Sequence, residues 1–90
     1  MQEEQKPICR IHPNGDKIWV LNKNYHREDG PAVEDANGDK FWFFHGKLHR
    51  LDGPASEFAD GTKEWFWYDK FIPVKSQEEF ERYLKLKAFW

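Results

Sequence analysis

A block of residues returns at a fixed interval of 23, and that repetition constrains the fold of this chain more than any other property it has. His26-Arg27-Glu28-Asp29-Gly30-Pro31-Ala32-Val33-Glu34 recurs as His49-Arg50-Leu51-Asp52-Gly53-Pro54-Ala55-Ser56-Glu57, and the agreement runs on through Gly38/Gly61, Lys40/Lys63 and Trp42/Trp65. The same interval taken backwards lands on Gly15, Lys17 and Trp19, with no His-Arg-Asp-Gly-Pro-Ala block ahead of them. The first unit is therefore a truncated copy, as expected of a repeat that caps an array. The organisation is one domain over 1–90: a truncated unit at 8–25, complete units at 26–48 and 49–72, and a segment of different character at 76–89.

Within each unit, Asn14-Gly15, Asn37-Gly38 and Asp60-Gly61 are dipeptides suited to positive φ at both central positions of a tight hairpin turn. Strand-forming runs follow each of them: 17–21, 40–44 and 63–67. Period-two geometry sends Trp19, Trp42 and Trp65 to one face, where they are expected to stack as a ladder. Shorter polar runs, 8–12, 32–36 and 55–59, supply the partner strands. Asp29-Gly30-Pro31 and Asp52-Gly53-Pro54 then bend the chain into the next unit, with the glycine expected to take positive φ. Ser76-Gln77-Glu78-Glu79 is a capping box, and Phe80, Tyr83, Leu84 and Ala88 follow at helical spacing, so a helix is expected over 77–89. The fold class is α+β and β-dominated: an antiparallel meander of three hairpins, about six strands, with one C-terminal helix.

Composition narrows the function classes. Eight Phe, five Trp and three Tyr make the burial depend on a few large rings. Fourteen basic and sixteen acidic residues nearly cancel, so no overall field draws in nucleic acid or an anionic membrane. Lys17, Lys40 and Lys63 recur beside the Trp strand, but acids interleave with them, and nucleic acid is disfavoured as a partner. A lone Cys9 provides neither a disulfide nor a zinc ligand set, which fits a cytoplasmic compartment. The longest apolar runs are four residues, and no secretion signal or membrane span is read.

The unit His-Arg-x-Asp-Gly-Pro-Ala followed by Gly-x-Lys-x-Trp resembles the tandem hairpin repeats related to the MORN-variant class, found in bacteriophages, large DNA viruses and bacteria. The resemblance covers about 10–72, strongest over 26–68, and leaves the helix outside. It implies a compact binding scaffold, phage-derived or bacterial, whose partner is a host defence component or a toxin-like enzyme. Only two units are complete, so the long surface of an extended array is missing.

His26 with Asp29 and His49 with Asp52 suggest acid–base chemistry, but a catalytic group is needed once, and these recur with the Gly and Pro that shape the bend. The structural reading is that Arg27 and Arg50 form bidentate pairs with Asp29 and Asp52 while the imidazoles pack on the indoles and bond to backbone. His12, His26, His45 and His49 lack metal-ligand spacing. The expectation is no enzyme, no metal and no cofactor. Arg27, Asp29, Gly30, Pro31, Trp42, Arg50, Asp52, Gly53, Pro54 and Trp65 are read as framework.

Positions that differ between units are the candidates for recognition: Phe43, Phe44, His45 and Lys47 in one unit, Phe66, Trp67, Tyr68 and Lys70 in the next, and the acids Glu34 and Asp35. Alternation puts apolar rings on both faces of the sheet, and rings outside the core must be covered by the helix or by another chain. The function expected is a non-enzymatic module that binds and sterically blocks another protein through an aromatic and acidic sheet surface. An antitoxin-like bacterial protein is a variant of that reading. The alternative is a sponge for nucleotide-like small molecules, with rings around the base and Arg27 or Arg50 on the phosphate. Self-association into a homo-oligomer is compatible with either.

Overall fold

Gly15, Gly38 and Gly61 close three hairpins in one shared geometry. In the first, the Gly15 amide donates to the His12 carbonyl and the His12 amide donates to the Asp16 carbonyl; the same pair of bonds recurs at Asp35–Asp39 and Phe58–Thr62. Only the glycines have positive φ, at 98°, 99° and 94°. Each tip is thus a type I turn followed by a left-handed glycine, a three-residue loop rather than the two-residue turn expected from the sequence. Asn14, Asn37 and Asp60 keep negative φ because their side chains accept the amide two residues on, at 2.9–3.3 Å. The two-residue turns with positive φ at both positions lie at the opposite ends, at Asn22-Lys23, His45-Gly46 and Tyr68-Asp69.

This computed structural model describes residues 6–87. Its elements are β1 (Ile8–Ile11), β2 (Lys17–Leu21), β3 (Asn24–Tyr25), β4 (Val33–Glu34), β5 (Lys40–Phe41), β6 (Phe43–Phe44), β7 (Lys47–Leu48), β8 (Ser56–Glu57), β9 (Lys63–Trp67), β10 (Lys70–Ile72) and α1 (Gln77–Lys87). The class is α+β, a β-dominated antiparallel meander with one C-terminal helix. Ten strands replace the expected six because the chain returning from each two-residue turn pairs briefly before leaving the sheet, which adds β3, β7 and β10, and because the expected strand 40–44 is divided at Trp42 into β5 and β6. β3 pairs with the end of β2 (Val20↔Tyr25, Leu21↔Asn24) and β4 with its beginning (Lys17↔Glu34, Ile18↔Val33), while the bend 26–32 bulges out between them. Two bonds, Trp19 amide to Ala32 carbonyl and His26 amide to Trp19 carbonyl, stitch that excursion to the ladder.

The sheet order is β1-β2-β4-β5-β8-β9-β10, with β3 beside β2 and β6-β7 forming a separate pair. Register puts Lys17, Glu34, Lys40, Glu57 and Lys63 opposite one another in sequence, an alternating charge row across five strands. Along β2 and its repeats, residues 17, 19 and 21 and their equivalents share one face, and 18 and 20 with theirs share the other.

The indole face carries all the coverings. The two bends fold over Trp19 and Trp42, and α1 folds over Trp65. There the only multi-residue apolar core among the described residues forms from Trp65, Ile72 and Phe80, with Val74, Tyr83 and Leu84 packed against it. Ser76 caps the helix by accepting the Glu79 amide at 3.2 Å. Glu79 makes no return bond, so the capping box is half formed. The last expected turn, 88–89, lies outside the described residues. Extents of 43 × 41 × 17 Å describe a plate one sheet and one thin covering deep.

Candidate functional site

Each complete bend is a clamp around a guanidinium. Arg27 lies 3.8 Å from the Trp19 ring centre and Arg50 3.9 Å from that of Trp42. Nε of Arg27 donates to Asp29 at 3.0 Å, and Nη1 donates to the Pro31 carbonyl and to Glu34. Arg50 repeats the set with Asp52, Pro54 and Glu57. The expected bidentate Arg–Asp pair is therefore replaced by a fork that bridges two carboxylates and a backbone carbonyl.

The glycine of the motif has a different role from the one expected. Gly30 and Gly53 do not take positive φ; a Cβ on them would stand 2.8 Å from Cζ of Arg27 and 2.5 Å from Cζ of Arg50. Glycine lets the guanidinium lie against the backbone while it stacks on the indole, and a side chain there would push it out of the clamp. This also explains the missing Trp ladder. Equivalent indoles are two strand spacings apart, about 9.6 Å, beyond ring-stacking range, and on Trp19 and Trp42 a guanidinium takes the stacking place instead. At the third position the indole instead donates to Gln77 Oε1 at 2.8 Å, and Gln77 Nε2 ties to the Leu51 carbonyl and to Glu81.

The imidazoles serve the turns. Nδ1 of His26 accepts the His45 amide at 2.9 Å, and Nδ1 of His49 accepts the Tyr68 amide at 3.2 Å. His45 and Tyr68 are the residues whose φ is positive, 49° and 42°, so each histidine holds a turn that its side chains resist. Tyr68 stacks on His49 with centres 3.9 Å apart, and His45 lies over His26 at 4.2 Å. The imidazoles therefore pack on Phe44, His45, Trp67 and Tyr68 and not on the three repeated indoles. Burial lowers the pKa of both below 6.5; for His26 the neighbouring His45 lowers it further and Glu28, 3.8 Å away, opposes. Both act as Nδ1 acceptors, so both are neutral with the proton on Nε2.

Between the two complete bends the indole face opens into a cleft of about 680 Å³, floored by Trp42, Phe44 and Tyr68 and bordered by Arg27, Asp29, Arg50 and Asp52. A second cleft of about 650 Å³ precedes it, with Trp19, Leu21 and His26, and shares the Arg27–Asp29 wall. A third, about 420 Å³, lies between β9, β10 and α1 against Trp67, Ile72, Tyr83 and Leu84. The Asp29 and Asp52 side chains are 88% exposed and paired at 3.0 Å with Arg27 and Arg50. The rim of the first cleft therefore carries carboxylates and guanidinium groups side by side, with Glu28 adding a further acid, while Lys6 and Arg27 balance Glu28 and Asp29 in the second.

The candidate recognition residues do not form one surface. Phe44, Lys47, Trp67, Lys70 and Glu34 share the indole face, with His45 and Tyr68 in its turns. Phe43 and Phe66 occupy the opposite face, and Asp35 sits at a hairpin tip. Sequence reasoning misses the carboxylate ties between units. Asp16 accepts the Ala36 amide at 2.7 Å, Asp39 accepts the Ala59 amide at 2.8 Å, and Asp69 accepts the Leu48 amide at 2.7 Å. The Ala36 bond, followed by Asn14, holds the Asp16 carboxyl below its usual value. The signal for Asp16 and Asp39 is an acid directly after the tip glycine of the first two units.

Among the described residues no three His, Cys, Asp or Glu side chains are grouped to hold a metal ion. No helix among them is long and apolar enough to cross a membrane. No family model, curated protein or solved structure matches the chain.

Proposed function

We propose that the chain is a non-catalytic protein-binding module that presents the cleft between its two complete bends to another protein. The observation that carries this reading is the cleft itself: a floor of Trp42, Phe44 and Tyr68 under a rim of exposed carboxylates, large enough for inserted side chains. An aromatic floor suits inserted ring or long-stemmed side chains, and a rim where Asp29 and Asp52 stand beside Arg27 and Arg50 suits a partner segment with charges of both signs. The histidines and arginines that could have run chemistry are engaged in holding turns and bends, which supports binding over catalysis. The resemblance to phage and bacterial hairpin repeats puts a host defence protein or a toxin-like enzyme first among partners to try.

Tyr68, in the cleft floor, and Trp67, which meets it edge-on at 5.2 Å, are 44% and 37% exposed and do not belong to the buried core. The double variant Trp67→Ala/Tyr68→Ala should lose a protein that the native chain captures from host lysate while its Tm moves by only a few degrees. A collapse of Tm would place both rings in the stabilising core and remove the reading. Titration with nucleotides, followed by Trp fluorescence, separates the alternative. A saturable response with no protein present would make the cleft a small-molecule site.

A further inference from the structure

We propose that the sheet face opposite the indoles is a dimer interface, occupied by a second copy of this chain related by a two-fold axis parallel to the strands. This is independent of the partner cleft, which lies on the other face. Register and alternation put Val20, Tyr25, Phe43, Leu48, Phe66 and Phe71 in one band across the hairpins. Neighbours in that band touch: Tyr25 meets Phe43 edge-on at 5.2 Å and Phe66 meets Phe71 at 5.6 Å. Both bends and α1 lie on the indole face, so the described residues place no element over the band, and Tyr25 and Phe71 stay exposed. A soluble monomer rarely leaves so continuous an apolar surface open. In a molecule 43 by 41 Å across and only 17 Å deep, each broad side is large enough to supply the roughly 800 Å² per partner of a standard interface.

The charges on this face select the occupant. Its strand positions include two charged residues at opposite ends, Arg10 on β1, opposite Ile18, and Glu64 on β9, opposite Ser56. Five strand spacings, about 24 Å, separate them, so they do not pair within one chain. Turning a second copy about an axis parallel to the strands lays its first unit on the third unit of the original. Each Arg10 then meets Glu64 of the other copy, twice over, around a centre of aromatic rings. An axis across the strands would set Arg10 on Arg10 and Glu64 on Glu64. Asp35, Asp16 and Asp39 border this face at the hairpin tips, where Asp16 and Asp39 are tied to the Ala36 and Ala59 amides and water reaches all three. The surface is self-complementary in the way a two-fold interface demands.

Sedimentation equilibrium of the full chain across a concentration series should give twice the mass of a single chain. Arg10→Glu and Glu64→Arg should each weaken the dimer by at least about tenfold in Kd, since each sets like charges together at two symmetric places. The combined variant R10E/E64R should restore it. Phe43→Glu should give a monomer; if that variant does not fold, the charge exchange at the rim decides. A single-chain mass at every concentration, or a combined variant no better than the single ones, overturns the proposal.

Discussion

Trp42 and Trp65 hold the same place in successive units, yet they are covered in different ways. Trp42 is half-buried under the Arg50 guanidinium, whereas Trp65 is 4% exposed beneath α1 with Ile72 and Phe80. The inner indole is held by a polar clamp of stacking and charge-assisted hydrogen bonds. The outer one sits in a hydrophobic core. A repeating ribbon this thin cannot build an apolar centre from its own hairpins, so a segment of unlike sequence closes the array and supplies one.

Three substitutions test how much stability each covering provides. Phe80→Ala removes a fully buried ring from the core and should cost about 3–5 kcal/mol, read as the shift in urea midpoint at constant slope. Arg50→Ala should cost less, about 2–3 kcal/mol, because the indole is re-exposed and the clamp's three hydrogen bonds go with the side chain. Gly53→Ala should lie near or just below it, about 1–3 kcal/mol, because a methyl there displaces a guanidinium that can make room only by loosening its stacking on Trp42 and its three hydrogen bonds. If Arg50→Ala matched Phe80→Ala, the clamp would be as important as the core and the comparison would fail.

The smallest effect is electrostatic. His26 and His49 have folded pKa values lowered by burial, so below 6.5 the unfolded chain takes up protons that the folded chain does not. Their contribution is complete above pH 6.5 and declines as pH falls toward the lowered folded values. Asp35, raised by burial and by Asp16 and Asp39, titrates with the opposite sign, starting from 3.8. Tm should therefore drop between pH 7.5 and pH 5.5, by no more than a few degrees. The slope should flatten in His26→Gln/His49→Gln.

Much of the architecture is legible because it is written in short-range patterns. The repeated unit, the period-two faces of 17–21 and 63–67 and the helix start at Ser76 each rest on neighbours in sequence. The turns are where those patterns mislead. Asn-Gly signals a two-residue turn in isolation, but here Asn side chains bond the amide two residues on, and the left-handed pairs fall to His45-Gly46 and Tyr68-Asp69. The expected indole ladder fails on a distance that one unit does not reveal, since the repeat interposes two strands between equivalent rings. The motif glycine reads as a φ requirement when space decides it. Of the candidate site, the rings and their alternation between two faces stand out in the sequence, but which face carries the cleft does not, and Asp16, Asp39 and Asp69 act on amides of the neighbouring unit.

Those inter-unit carboxylates also explain how the ribbon stops. Ala36 and Ala59 supply the amides that Asp16 and Asp39 grip, and in the first unit the equivalent position is Pro13, which has no hydrogen to offer. In the last unit the gripping position holds Thr62 in place of an acid. A copy approaching end-on would find the hook missing at one terminus and the eye at the other, so growth into a filament is discouraged by the same residues that lock three hairpins together.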